Sequence, residues 1–355
     1  MNSTQLIIIS FFYIIFATNV YSFEYKIRKM ASFESPWGMS FINKNNLLIT
    51  GRKGDIKLYN IETNKKTNIN HNLNYLVDGQ GGLLDILFYK NVVYISYSEN
   101  RGNGKTSTSI ARGMIKNYSI TFRNIFRAEP PIKSGYHFGS RMQIRNEYLF
   151  ISIGERGKGM IAQDYTKHPG SIIKIHLNGD IPINNPRFIN KKNWLPEIYQ
   201  IGVRNPQGMT LSQFDNEIYI TNHGAKGGDW FGKIKKSGNY GWKILGWGGV
   251  NYIGTKIGPV WKEGYDKALH YWVPSIGVSS LVIYKGKEFN QWNGKAIITA
   301  LKDQSLRIID FKDKTNIEEK IIFKNKIGRI RDIEIVKENG KILLLAENVL
   351  WIMHK

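Results

Sequence analysis

Six Gly-rich turns in this chain carry side chains that can do chemistry. They are His137-Phe138-Gly139-Ser140-Arg141, Gly79-Gln80-Gly81-Gly82-Leu83-Leu84-Asp85, Arg204-Asn205-Pro206-Gln207-Gly208, His223 to Asp229, Ala300-Leu301-Lys302 and Arg329-Ile330-Arg331-Asp332. Each alone is a weak signal, because a turn histidine is more often a surface residue than a base. Together they spread Lys302, Arg204, Arg329, Arg331, Gln80, Asn205 and His137 over most of the chain. That set suits a polyanionic ligand gripped by cations, beside one base that titrates near neutral pH.

Residues so far apart meet only if repeated elements bring their turns to one place. Short apolar runs recur from residue 23 onward, among them Leu47-Leu48-Ile49, Val92-Val93-Tyr94-Ile95, Leu149-Phe150-Ile151-Ser152-Ile153, Ile172-Ile173-Lys174-Ile175, Ala296-Ile297-Ile298 and Leu343-Leu344-Leu345. They are rich in β-branched and aromatic types and bounded by Gly, Asn or Asp, the marks of strands. No segment keeps a helical apolar period beyond two turns, so the chain reads as all-β. Strand clusters follow one another at intervals of about 50 residues, the spacing of propeller blades. The expectation is one domain over residues 23–355, a six-bladed β-propeller of four-stranded antiparallel blades. A pair of antiparallel sandwiches is the alternative.

Composition narrows the function classes. Of 355 residues 42% are hydrophobic and 13% aromatic, which excludes intrinsic disorder. The absence of cysteine excludes disulfide scaffolds, thiolate metal sites and cysteine nucleophiles. The formal charge is +22, from 50 Lys and Arg against 28 Asp and Glu. The cations are scattered, runs such as Lys233–Lys236 read as solvated turns, and no nucleic-acid-binding motif accompanies them, so no nucleic-acid partner is expected. Residues 1–22 carry no charged side chain, and Leu6 to Phe16 is apolar apart from Ser10. That run is too short to span a bilayer, which takes roughly 20 residues, and it suits a signal peptide cleaved before Phe23. Export without stable membrane insertion is expected; an uncleaved anchor or a buried strand is the alternative.

The ordered landmarks Ser35–Met39, Gly79–Asp85, Val93–Glu99, His137–Met142, Gly154–Gly157, Pro196–Tyr199 with Arg204–Gly208, Asn239–Trp242, Asn251-Tyr252, Tyr271–Ser275 and Arg329–Asp332 run through the whole mature chain. In them the sequence resembles the soluble quinoprotein glucose/sorbosone dehydrogenase family, most closely its aldose sugar dehydrogenase branch. The resemblance implies a periplasmic propeller that binds pyrroloquinoline quinone (PQQ) and Ca2+ and oxidises aldoses to lactones, passing electrons to an external acceptor. It implies His137 as general base, with Arg204 and Asn205 at the quinone's reactive side. Gln80, Tyr252, Lys302, Arg329 and Arg331 match other cofactor contacts. Gly224 and Ala225 match backbone-carbonyl ligands of the cofactor's calcium, and Tyr240 matches a carbonyl ligand of a second, structural calcium.

The chain departs from the family pattern in places. Trp230 stands where a glutamate ligand of the structural calcium is usual, and an indole offers a cation no oxygen. Ala225 replaces a proline, Val203 precedes Arg204, and the closing strand ends Ala346-Glu347-Asn348. Tyr271 and Trp272 are candidates for stacking on a sugar ring. A non-catalytic propeller that binds an acidic glycan or protein is the competing reading; it gives no reason to keep His137 and Arg204 beside Gln80 and Lys302.

Overall fold

Strand Tyr148–Ile153 shows how the apolar runs become structure. It pairs antiparallel on both edges, with Leu149 opposite Ile144 and Ile175, and Ile151 opposite Met142 and Ile173. Residues 149–153 are all buried. A middle strand in a sheet covered on both faces needs apolar side chains on both, so it reads as a run and not as an alternation. Each such Ile, Leu or Phe contributes roughly 1.5–3 kcal/mol by leaving water. The clusters they build lie between sheets: one joins Tyr94, Ile110 and Phe126 of one sheet to Met142, Ile151 and Ile173 of the next.

The computed structural model describes residues 24–187, 191, 193–313 and 316–355. The expected signal peptide, residues 1–22, and its cleavage point before Phe23 lie outside the described residues. Among the described residues the chain is all-β apart from short 3-10 turns such as Gly159–Gln163, and no helix is long and apolar enough to cross a membrane.

The strands form a propeller. Lys26–Ser32 pairs antiparallel with Val349–His354, and so shares a sheet with Ile342–Ala346 and Ile330–Ile335. This joins the two ends of the chain and closes the ring. The innermost strands Pro36–Phe41, Leu83–Tyr89, Gly139–Arg145, Pro206–Leu211, Val278–Ile283 and Ile330–Ile335 neighbour one another around a central channel. Every one of them has a register break near its start, for example between Gly139 and Met142, Pro206 and Gly208, and Ile330 and Asp332. A bulge re-aims the side chains it contains. Arg141, Gln207 and Arg331 sit in these breaks.

The expected six-bladed propeller of four-stranded antiparallel blades is corrected, because among the described residues the strands form seven sheets. Beside the four-stranded antiparallel sheets stands a three-stranded one, made by Asn70–His71, Ile115–Lys116 and Ser119–Ile120. Its Ser119–Ile120 and Asn70–His71 pair is parallel, unlike the rest. Its apolar residues Ile115 and Ile120 pack into the cluster between the Pro36–Phe41 and Leu83–Tyr89 sheets. Two-residue strands of mostly polar type make no apolar run, so nothing in the sequence pattern announces them.

Candidate active site

The His137 turn is held in an unusual backbone conformation. His137 and Ser140 have φ of 52° and 82°, the left-handed region that costs a non-glycine residue roughly 1–3 kcal/mol. Neighbours fix it: the His137 N–H donates to Gln80 Oε1 at 2.9 Å, and the Gly139 N–H donates to Asn205 Oδ1 at 3.0 Å. Gly154 lies so close that a Cβ there would come within 2.0 Å of the His137 carbonyl oxygen. That approach brings the next residue, Glu155, under the imidazole. The Glu155 carboxylate, only 2% exposed, contacts His137 Nδ1 and also accepts the Gly159 N–H.

Electrostatics follows from that contact. Burial lowers the His137 pKa below the ordinary 6.5; Glu155 opposes the shift and the nearby Arg204 adds to it. Burial alone would raise the Glu155 carboxyl, but contact with His137 and the Gly159 N–H brings it below the usual carboxylate value. An ionised Glu155 keeps the proton on Nδ1, so Nε2 is the free acceptor. His137 is therefore neutral at pH 7 with its basic nitrogen available.

A wall of guanidinium groups shares the cavity. Asn222 Oδ1 accepts both the Arg204 and Asn205 N–H groups, at 3.0 and 2.9 Å, and so fixes this turn. The Arg204 guanidinium carbon lies 5.3 Å from the Trp242 ring centroid, and its Nε is buried without a partner. Arg331 donates to Gln207 Oε1 at 3.0 Å, and Arg52 to the Gly79 carbonyl at 2.8 Å. Burial and the neighbouring Arg141 and Arg329 push the Arg331 pKa down to about 9, against Asp332, so it stays charged at neutral pH. Among the described residues Arg52, Arg204, Arg329 and Arg331 have no carboxylate within ion-pair distance, and no acid lines the cavity.

The cavity measures about 330 Å³, within the usual range for small-molecule sites. It brings together His137, Gln80, Arg204, Asn205, Arg329, Arg331 and Tyr252, the last 72% exposed at the mouth. Lys302 is exposed and does not line it, although its neighbour Leu301 does. Tyr240 is elsewhere, in the core. It stacks on Trp230 with ring centroids 4.2 Å apart, and its carbonyl accepts the Trp247 indole N–H at 3.3 Å. Trp272 is core as well, while Tyr271 is exposed but outside the cavity lining.

Two further residues, Glu155 and His223, belong to the site. Glu155 sits inside the Gly154–Gly157 landmark, where an acid between glycines is the only hint. His223 lines the cavity; burial, with Arg204 and Arg331, pulls its pKa down to about 4 against Asp229, so it too is neutral.

Asp229 positions the turn that carries Gly224 and Ala225. It is wholly buried, and its carboxylate accepts the Gly224 N–H at 2.8 Å, the Gly277 N–H at 2.6 Å and the Val278 N–H at 3.0 Å. Leaving a buried donor unsatisfied costs about 1–3 kcal/mol. Asp229→Ala strands three and is expected to remove at least about 3 kcal/mol of stability by urea unfolding. A loss below about 1 kcal/mol would mean that water replaces the carboxylate there.

Comparison with known proteins places this geometry. The family described as Glucose / Sorbosone dehydrogenase matches residues 33–350. The chain is 33% identical over 328 residues to aldose sugar dehydrogenase YliI of Escherichia coli (strain K12), covering 89% of this chain and 88% of that one. The crystal structure of the soluble aldose sugar dehydrogenase from Escherichia coli in the apo-form superposes with a TM-score of 0.87 at 30% identity, over 93% of this chain and 99% of that one. The PQQ-bound form of aldose sugar dehydrogenase from Streptomyces coelicolor shares the fold, with a TM-score of 0.77 at 20% identity, over 93% and 98%. The chain belongs to the glucose/sorbosone dehydrogenase family and is an oxidoreductase.

Proposed function

We propose that the chain is a PQQ-dependent aldose dehydrogenase, with His137 as its general base. The observation that carries this is the neutral, Glu155-held imidazole sharing a cavity with four unpaired guanidinium groups. PQQ has three carboxylates. An acid-free wall of Arg52, Arg204, Arg329 and Arg331, with the Arg204 Nε left buried and unpartnered, fits such a group. When bound, PQQ supplies the two-electron oxidant for the anomeric carbon, and a calcium on the Gly224 and Ala225 carbonyls supplies a Lewis acid.

The chain's own residues do the rest. His137 Nε2 takes the proton of the anomeric hydroxyl, and Glu155 steadies the imidazolium that results. Arg204, fixed through Asn222, would help hold the cofactor and would supply positive charge in the cavity during the oxidation. Gln80 and Asn205 hold the His137 turn in place through its backbone N–H groups.

The test is a screen of aldoses on the PQQ- and calcium-loaded protein with an artificial dye as electron acceptor. Dye reduction with lactone formation is expected. No reduction with any aldose would refute the enzyme reading and leave the ligand-binding one. The same reading includes export to the periplasm, with the mature chain starting at Phe23.

For calcium, we propose one site and not two. The Tyr240 carbonyl is engaged by the Trp247 indole N–H, and Trp230, which offers no oxygen, stacks on the Tyr240 ring. These residues do not fit a structural calcium. Elemental analysis of PQQ-loaded protein is expected to find one calcium per chain; two tightly held ions would contradict this.

A further inference from the structure

A second cavity, larger than the catalytic one, lies apart from it. A groove of about 840 Å³ lies between the Pro206–Leu211 and Val278–Ile283 sheets and shares no lining residue with the site above. Part of the Lys233–Lys236 run, which reads as solvated turn in the sequence, lines it.

Its lining mixes three chemistries. Phe214 is 54% exposed, and Phe311 packs edge-on against Tyr219 at 5.1 Å, so the groove offers aromatic rings. Lys233, Lys235 and Lys295 are paired, with Glu217 at 3.2 Å, Asp266 at 2.8 Å and Asp310 at 2.9 Å. Lys267 and Lys312 line it too and have no carboxylate within ion-pair distance among the described residues. Asp215, which already accepts the Tyr219 hydroxyl at 2.6 Å, and Asp310, the Lys295 partner, offer their remaining lone pairs as acceptors.

We propose that this groove is a second binding site, for a uronic acid, a pyranose ring bearing a carboxylate. Each class of lining group answers one part of that ligand. The electron-rich ring faces suit the C–H face of a pyranose. Lys267 and Lys312 suit its carboxylate. The aspartates accept from its hydroxyl groups. A phosphate or sulfonate without a sugar ring would leave the aspartates without hydroxyl donors, and a neutral sugar would leave both lysines unmatched.

The test is calorimetric titration of the full chain with galacturonate, trigalacturonate and maltotriose. The acidic sugars bind and maltotriose does not. Lys267→Glu, Lys312→Glu and Phe214→Ser each weaken binding about tenfold or more while aldose turnover is unchanged. Equal affinity per ring for monomer and trimer marks a free acid as the ligand; binding of the trimer alone marks a glycan. Failure of both acidic sugars to exceed maltotriose overturns the proposal. So does binding that survives in the Lys267→Glu/Lys312→Glu double variant, which would place the acid elsewhere, as in the cationic mouth.

Discussion

His137→Ala is expected to cut turnover of the PQQ-loaded enzyme by about 10² to 10⁴, the usual worth of a positioned base, while PQQ affinity is retained. The two effects separate because different atoms produce them. Proton abstraction needs Nε2, whereas the turn is held through backbone N–H groups that alanine keeps. Glu155→Gln supplies an independent readout. The neutral imidazole is the active form, so kcat/KM falls as pH drops through the His137 pKa. Glu155 raises that pKa, and its removal therefore moves the acid limb to lower pH. Near-wild-type turnover in His137→Ala holoenzyme, or an acid limb unmoved in Glu155→Gln, would show that another group is the base.

Arg331→Met should weaken PQQ binding far more than Lys302→Ala. Arg331 lines the cavity, lacks a carboxylate partner and is already repelled by Arg141 and Arg329. Truncating one partner of a buried, hydrogen-bonded charge pair costs about 2–5 kcal/mol, roughly 30- to 5,000-fold in affinity. Lys302 is exposed at the edge, where a single ion pair is worth about 0.2–1 kcal/mol, less than about tenfold. Titration of both variants with PQQ, followed by fluorescence quenching, measures the difference, and thermal unfolding of the apo-proteins checks that each is folded. Equal losses would place the cofactor's carboxylates at the rim and not on the channel wall.

What the sequence made legible was local. Apolar runs such as Leu149–Ile153 could be assigned to strands because a strand buried on both faces has no other pattern. His137, Gln80, Arg204 and Arg331 stood out because each sits in or beside a Gly-rich turn, and those turns feed bulged inner strands that meet at one channel. Other features depend on contacts between distant segments. The Glu155 to His137 contact exists because Gly154 lets two turns touch, a three-dimensional event with no spacing signature. Asp229 looked like one more turn residue until its three backbone donors were in view. Lys302 and Tyr240 were matched by family pattern, yet the one lies outside the cavity lining and the other is buried against Trp230 and engaged by Trp247. The seventh sheet stayed hidden because hydrogen bonding between polar dipeptides leaves no periodic trace.

The most direct measurement of the central claim is a stoichiometric titration of the apo-protein with PQQ at saturating calcium, reading aldose turnover at each addition. Turnover should be absent before the first addition, rise linearly, and stop rising at one PQQ per chain. Thermal stability should keep climbing past that point as free PQQ accumulates, by about 2.7 kcal/mol at a hundredfold excess over Kd. Turnover without added PQQ, or saturable PQQ binding with no turnover on any aldose, would contradict the assignment.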